Sequence, residues 1–528
     1  RYLRRDGRRE LKCDMSTLPN VAGTHLMDVA VVMPIYVDNE MIGMAVAKGH
    51  INDVGGTNPG SWGPASTEIY QEGLIIPPVK LYRRGERNRD VIDIIRFNSR
   101  IPDYAIGDLE ALVAALRVGN KRIQELASKY GKETLKQIFK DILDDGEKLA
   151  LAGIKRLPKG EFYAEDYLDD SGTSEEPFKI TAKVKITEDE VVVDFSNNPP
   201  AVNAPINSPY PATVAAARIV FMALVAPHEP YNGGIARRFK VIAPEGTIFN
   251  PRWPAPTSVY WETMTYAADL LWKALAPYVP DKLSAGHFLS VVAEIIAGVD
   301  PRKNEYVVLV EPNPGGWGGH SEGDGESGLV AFADGETLAS SVEILEQRYP
   351  IIVDQYTLNT IDGAGPGKYR GGFGIIKDYR IMADGFIFTT GINRAKFPPW
   401  GLNGGCHGTL NYMVIIRDGK ELMRVRKITN FPLRKNDVVS IRSAGGGGYG
   451  DPLDRDPKLV LNDVLNEYIS IDDARRYYGV VIKGEWPNYE IDYEATNKLR
   501  EEMRRQGKRE CVPLPQGIRA YYGVYRGE

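Results

Sequence analysis

The sequence predicts an α+β fold: a large multi-sheet body with helical insertions and Gly-rich loops between its strands. Three observations carry this. Several separated stretches alternate apolar and polar residues with period two, which is the strand signal. One long stretch switches to helical periodicity. The order along the chain is strands, helices, strands, helices, strands, not a regular βα alternation.

Residues 1–107 read as an N-terminal β-rich segment built around a hairpin. LMDVAVVMPIYV (26–37) and MIGMAVAKGH (41–50) flank an Asp38-Asn39 turn. The loop DVGGTNPGSWGP (53–64) follows and is too rich in Gly and Pro for regular structure. Residues 108–160 form a helical segment. Leu109, Leu112, Val113 and Leu116 recur at i, i+3, i+4 and i+7, and the pattern runs on past Leu135 and Phe139, with breaks expected near Gly119 and Gly131.

Residues 161–482 are the α+β core. Phe178, Ile180, Ala182, Val184 and Ile186 alternate before the turn TEDE and the strand VVVDF. Helices are expected at 212–226, 261–278 and 284–298, and mainly strands over 340–442. Ser470 is placed as the N-cap of a short helix ending at Gly479. Residues 483–528 read as a polar C-terminal tail, a solvated helix or extension.

Composition excludes several classes. The 528 residues carry 65 Lys+Arg against 70 Asp+Glu, a net charge of −5, with no electrostatic case for nucleic acid or an anionic membrane. The most apolar stretch, Thr213 to Ala226, is too short to span a bilayer and contains Arg218. Cys13, Cys406 and Cys511 are widely spaced, so a zinc ribbon and a disulfide scaffold are excluded, and reduced thiols in a cytoplasmic setting are expected. The chain opens on Arg1 with no signal peptide, as a piece of a longer protein would.

The chemistry-bearing residues concentrate near the first hairpin. His25-Leu-Met-Asp28 and His50-Ile-Asn-Asp53 are two H-x-x-D patterns at its two ends, which a hairpin folds together. Two imidazoles and a carboxylate suit a divalent transition metal, with Asp53 as a further ligand or as an orienting partner. Glu68 and Glu72 lie four apart, so a helical turn would put them on one face for acid/base work.

Glycine and proline make ~17% of the chain against ~12% in average usage. The glycines cluster at 53–60, 313–328, 363–374, 403–408 and 443–452. Gly367-Lys368 is followed by Tyr, not by Ser or Thr opening a helix, and no G-x-G-x-x-G opens a βαβ unit. No ATP or dinucleotide site is therefore expected on this chain. The loops read instead as tight turns, or as pocket walls carrying His320, Glu322, Asp324 and His407. Cys406 beside His407 is a weak nucleophile pattern, since adjacent strand residues face opposite ways.

Strings across residues 23–482 resemble the hydantoinase B family. They are GTHLMDV (23–29), HINDVGGTNPGS (50–61), STEIYQEGLIIPPVKL (66–81), DFS (194–196), APINSP (204–209), VIAPEGTIFNPRWPAP (241–256), GPGKYRGGFG (365–374) and SAGGGGYGDPLDRDP (443–457). That family covers B-type subunits of ATP-dependent hydantoinases, the C-terminal part of 5-oxoprolinases, caprolactamase, and large subunits of acetone and acetophenone carboxylases.

The resemblance implies a B-type subunit of an ATP-dependent cyclic amide hydrolase. ATP would be bound by a hydantoinase A-type partner, with a small third subunit as a further partner. The substrate, a cyclic amide or a ketone, would be activated by phosphorylation on that partner. The alternatives are the large subunit of an ATP-dependent ketone carboxylase and a non-catalytic scaffold. The resemblance also implies a divalent metal (Mn, Zn or Fe) held by His25, Asp28 and His50. The chain departs from the family in carrying Ile51 where many members have His, and in having only residues 1–22 before GTHLMD.

Overall fold

Strands β1 (Cys13–Ser16), β2 (Asp28–Val37), β3 (Glu40–His50), β4 (Val79–Arg83) and β5 (Glu86–Arg87) pair in the order β3-β2-β1-β4-β5. The structure, a computed structural model, describes residues 13–19, 23–335, 337–507, 510–514 and 518–520. β2 and β3 form the expected hairpin. Asp38 and Asn39 turn it at φ 47° and 70°, the left-handed pair whose twist suits antiparallel strands.

Helices α1 (Arg89–Asn98), α2 (Pro102–Tyr130) and α3 (Lys132–Lys155) follow, and α2 packs on β2 and β3. The break at Gly131 is present, at φ 84°. The break expected at Gly119 is not: α2 runs straight through it. One interior glycine costs only ~1 kcal/mol, less than burial of the stripe Leu109, Val113 and Leu116 returns.

β6 (Gly160–Leu168), β7 (Phe178–Ile186), β8 (Val191–Asp194) and β9 (Phe239–Ile242) form a second sheet in that order, with β8 and β9 parallel. Helix α4 (Tyr210–Val225) precedes β9, and α5 (Trp261–Leu275) lies on β6 and β7 beside α4. A single hydrophobic core from Met15 to Leu402 joins these sheets and helices.

β10 (Glu294–Asp300), β11 (Glu305–Glu311), β12 (Ile351–Leu358), β13 (Ile375–Ile381), β14 (Phe386–Gly391), β15 (Tyr412–Arg417), β16 (Lys420–Leu433) and β17 (Val438–Arg442) build the largest sheet. Their order is β11-β10-β14-β16-β15-β17-β13-β12, and helix α6 (Val342–Arg348) precedes β12. The expected helix at 284–298 is replaced by an irregular segment and then β10. β10 is buried along nearly its whole length between β11 and β14. A strand buried on both faces reads as a continuous apolar run, which periodicity cannot separate from a buried helix.

Four of the five glycine clusters pack against each other. Gly446 N–H donates to Gly372 O, Gly372 N–H to Trp317 O, Gly365 N–H to Gly446 O and Gly448 N–H to Cys406 O, at 2.8–2.9 Å. A β-carbon on Gly446 would lie 2.1 Å from the Trp317 carbonyl oxygen, so these backbones meet at distances only glycine permits.

The chain ends with α7 (Pro457–Leu465), α8 (Ile471–Tyr478), the short pair β18 (Ile482–Lys483) and β19 (Glu490–Ile491), α9 (Tyr493–Gln506) and β20 (Ile518–Ala520) beside β16. Ser470 caps α8 in a full capping box with Asp473.

The segment expected as a solvated tail is docked. Arg500 of α9 is buried and donates to Tyr478 O and Arg455 O at 3.0 and 2.7 Å. The expectation of reduced thiols is also overturned, because Cys406 and Cys511 form a disulfide with Cα atoms 5.4 Å apart. Sequence spacing hid this pair, since 105 residues separate the two cysteines. No described helix is long and apolar enough to cross a membrane.

Candidate metal centre

The hairpin register creates the site. Asp28, the first residue of β2, pairs directly with His50, the last of β3. His25 sits in the turn before β2, where Asp28 N–H donates to His25 O at 3.2 Å. His25 Nε2 is therefore 3.1 Å from Asp28 Oδ1 and 3.1 Å from His50 Nδ1, and His50 Nδ1 is 3.4 Å from the same Asp28 oxygen. The three ligand atoms lie within 4.8 Å of one another.

His25 and Asp28 are oriented from behind. His25 is 2% exposed, and its Nδ1–H is directed at Ser258 O, 3.1 Å away. That contact leaves the Nε2 lone pair facing the centre. The Ser258 carbonyl is fixed in turn by Glu72, whose carboxyl group accepts from the Thr257 and Ser258 N–H groups at 2.9–3.0 Å. Asp28 Oδ2 accepts from the Thr24 hydroxyl and from Tyr260 OH at 3.1 Å, and lies 3.5 Å from Lys48 Nζ. Asp28 Oδ1 is thereby left to the two imidazoles.

The electrostatics match. Burial lowers the His25 pKa more than Asp28 raises it. Burial alone would raise the Asp28 carboxyl, but His25 and His50 outweigh it and hold it well below the carboxylate range. Burial and then Asp28 push the Tyr260 phenol well above its usual value, so it stays a hydrogen-bond donor. Two imidazoles with one ionised carboxylate are the donor set a divalent transition metal takes.

The centre opens into a cleft of about 340 Å³. Met27, Trp62, Trp261, Met264 and Val310 give it an apolar lining. Asn52, Tyr260, Asp334 and Thr337 add polar groups. The residues come from the first hairpin, the Gly-rich loop after it, the start of α5, the β10–β11 edge and the connection between β11 and α6.

The hydantoinase B/oxoprolinase family matches over residues 15–452. The chain belongs to the hydantoinase B/oxoprolinase family. It is 37% identical over 483 residues to an uncharacterised protein of Methanocaldococcus jannaschii, covering 91% of this chain and 83% of that one. It is 33% identical over 501 residues to the caprolactamase subunit beta of Pseudomonas jessenii, covering 91% and 84%. The solved structure of the ATP-dependent caprolactamase from Pseudomonas jessenii superposes with a TM-score of 0.85 at 30% identity, covering 94% of this chain and 86% of that one. Acetone carboxylase in its nucleotide-free form shares the fold, with a TM-score of 0.87 at 20% identity over 94% of this chain and 73% of that one.

Several residues singled out in this hydantoinase B chain lie elsewhere. Asp53 is 0% exposed, and its carboxylate accepts from the Gly55, Gly60 and Arg100 N–H groups and from the Arg100 guanidinium. It shapes the Gly-rich loop beside the centre and is not one of the three clustered donors. Glu68 and Glu72 do not share a face, because the intervening turn is a 3-10 turn (Ile69–Gln71). Glu68 is exposed and Glu72 is buried behind the site. Neither lines the cleft.

His320 is also outside the cleft; its Nδ1 accepts from Glu322 N–H within its own Gly-rich turn. Asp324 is paired with Arg455, and Cys406 is held in the disulfide, which ends the Cys–His reading. Sequence reasoning missed Tyr260, Trp261 and Asp334. The aromatic pair adjoins a segment of the family resemblance and was within reach. Asp334 has no local motif to mark it.

Proposed function

We propose that this chain is the B-type subunit of an ATP-dependent cyclic amide hydrolase. It would complete the opening of a ring amide whose oxygen has been phosphorylated on a hydantoinase A-type partner. The observation that carries the reading is the His25–Asp28–His50 donor set opening into an apolar cleft. Kinship at 33% identity to a caprolactamase subunit supports a ring amide as substrate. An ATP-supplied reaction fits a cytoplasmic setting.

His25 Nε2, His50 Nδ1 and Asp28 Oδ1 would hold the divalent metal (Mn, Zn or Fe). Such an ion, when bound, supplies Lewis acidity toward an oxygen and lowers the pKa of a water. The chain's own groups do the rest. Ser258 O keeps His25 in one tautomer, and Thr24, Tyr260 and Lys48 anchor the far oxygen of Asp28. Met27, Trp62, Trp261 and Met264 pack an uncharged ring and exclude bulk water.

The test is to purify the chain with its ATP-binding partner and measure ATP consumption on hydantoin, 2-pyrrolidone and ε-caprolactam, with and without bicarbonate. A ring-opened product that forms without bicarbonate is expected. ATP consumption that needs a ketone and bicarbonate would replace this reading with a ketone carboxylase.

A further inference from the structure

Asp334 ends a short 3-10 turn (Phe332–Asp334) in the connection between β11 and α6. Ala333, Asp334 and Thr337 line the same cleft as His50 and Tyr260. The Thr337 hydroxyl donates to Asp334 O at 2.7 Å and closes this part of the loop on itself. The carboxyl group is different. Its Oδ2 is sealed from solvent and has no hydrogen-bond partner among the described residues. Buried polar atoms are almost always paired, so this unpaired oxygen, on a residue that lines the cleft, marks a carboxyl group free to turn toward a ligand proton. The titratable groups facing it are His50 on β3 and Tyr260 at the head of α5. Asp334 is not among the three clustered donor residues.

We propose that Asp334 is the catalytic proton-transfer residue of ring opening, carrying protons from the attacking water to the ring nitrogen. The proposal rests on the amide-hydrolase reading above. The step balances for a ring whose amide oxygen carries the phosphoryl group and whose nitrogen is doubly bonded to carbon. Water oxygen bonds to that carbon. The C–N bond then breaks with its electron pair staying on nitrogen. Both water protons reach nitrogen by way of Asp334, one at addition and one at cleavage. The acyl phosphate left behind is hydrolysed by a second water to carboxylate and phosphate. Without a nearby acid the nitrogen would leave as a strongly basic anion, which is the barrier such a group removes. Burial pushes the Asp334 carboxyl up, toward a group that can both take and give a proton.

The experiment compares Asp334→Asn and Asp334→Glu with the unmodified chain, each in complex with the ATP-binding partner, on the same three cyclic amides. For Asp334→Asn the expected result is a kcat lower by ~10²-fold or more, with KM and bound metal near unmodified values. The acid limb of kcat/KM should vanish in that variant and return in Asp334→Glu. If Asp334→Asn does not fold, the displaced pH limb of Asp334→Glu carries the test. An unchanged rate and pH limb would overturn the proposal. So would loss of the metal, which would make Asp334 a ligand. A complex that opens no cyclic amide overturns the amide reading first, and this role with it.

Discussion

Asp28 and His50 face each other across the β2–β3 ladder, and this one cross-strand pair places a carboxylate oxygen 3.4 Å from an imidazole nitrogen at the mouth of the cleft. His25 completes the set from the turn beneath. The donor set is thus a consequence of strand register, and a one-residue slip would send His50 to the other face of the sheet.

His50 is the cleanest probe of the metal proposal, because its side chain is 40% exposed and its truncation leaves no buried partner stranded. His50→Ala should lower bound divalent metal, read by elemental analysis, by at least ~10-fold, with little change in Tm. Asp53→Asn is the control. It weakens the loop around Arg100 and should lower Tm while leaving the metal-to-protein ratio near the unmodified value. Loss of metal in Asp53→Asn would show that the loop, too, holds the ion.

Glu72 links stability to pH. Burial pushes its carboxyl up to about 8, against the N–H groups of Thr257 and Ser258, which favour the ionised form. The folded chain therefore binds more protons than the unfolded chain between about pH 4.5 and 8. Stability from this group is full at the acid end of that window and falls as pH rises through it, by at most ~1.4 kcal/mol per pH unit. Glu72→Gln should flatten that slope in denaturant titrations across the window. Glu72→Ala, which leaves two buried N–H groups unpaired, should cost ~2–4 kcal/mol. A slope unchanged by Glu72→Gln would place the titration elsewhere.

Gly446→Ala tests the packed glycine layer. Its methyl group would collide with the Trp317–Gly318 backbone, which must move. A loss of ~1–3 kcal/mol is expected, seen as a lower denaturant midpoint. Gly119→Ala is the counter-case: its β-carbon meets nothing within 4 Å in the middle of α2, so ~0.5–1 kcal/mol of stabilisation is expected.

The disulfide predicts a redox response. Reduction, or Cys511→Ser, should lower stability by ~2–4 kcal/mol and open the segment after α9 to proteolysis. Dithiothreitol should then lower the Tm of the unmodified chain and leave that of Cys511→Ser unmoved.

Local pattern determined much of this. The alternation in 26–50 made β2 and β3, the Asp38-Asn39 pair made their turn, and the stripe from Leu109 onward made α2. Because the hairpin is local, spacing brought the two H-x-x-D patterns together, the resemblance narrowed them to His25, Asp28 and His50, and the quoted strings were enough to mark the family. Tertiary structure decided what distant segments do to one another. Ser258 reaches His25 across 233 residues, Glu72 sits behind Ser258, and Asp334 enters the cleft from beyond β11. The end of the 284–298 run became part of β10, because burial on both faces erases period. Glycine clusters that read as tight turns or pocket walls met as a layer of backbone on backbone, and Cys406 found Cys511. In each case the deciding term was packing between chain segments far apart in sequence, which no local window of residues carries.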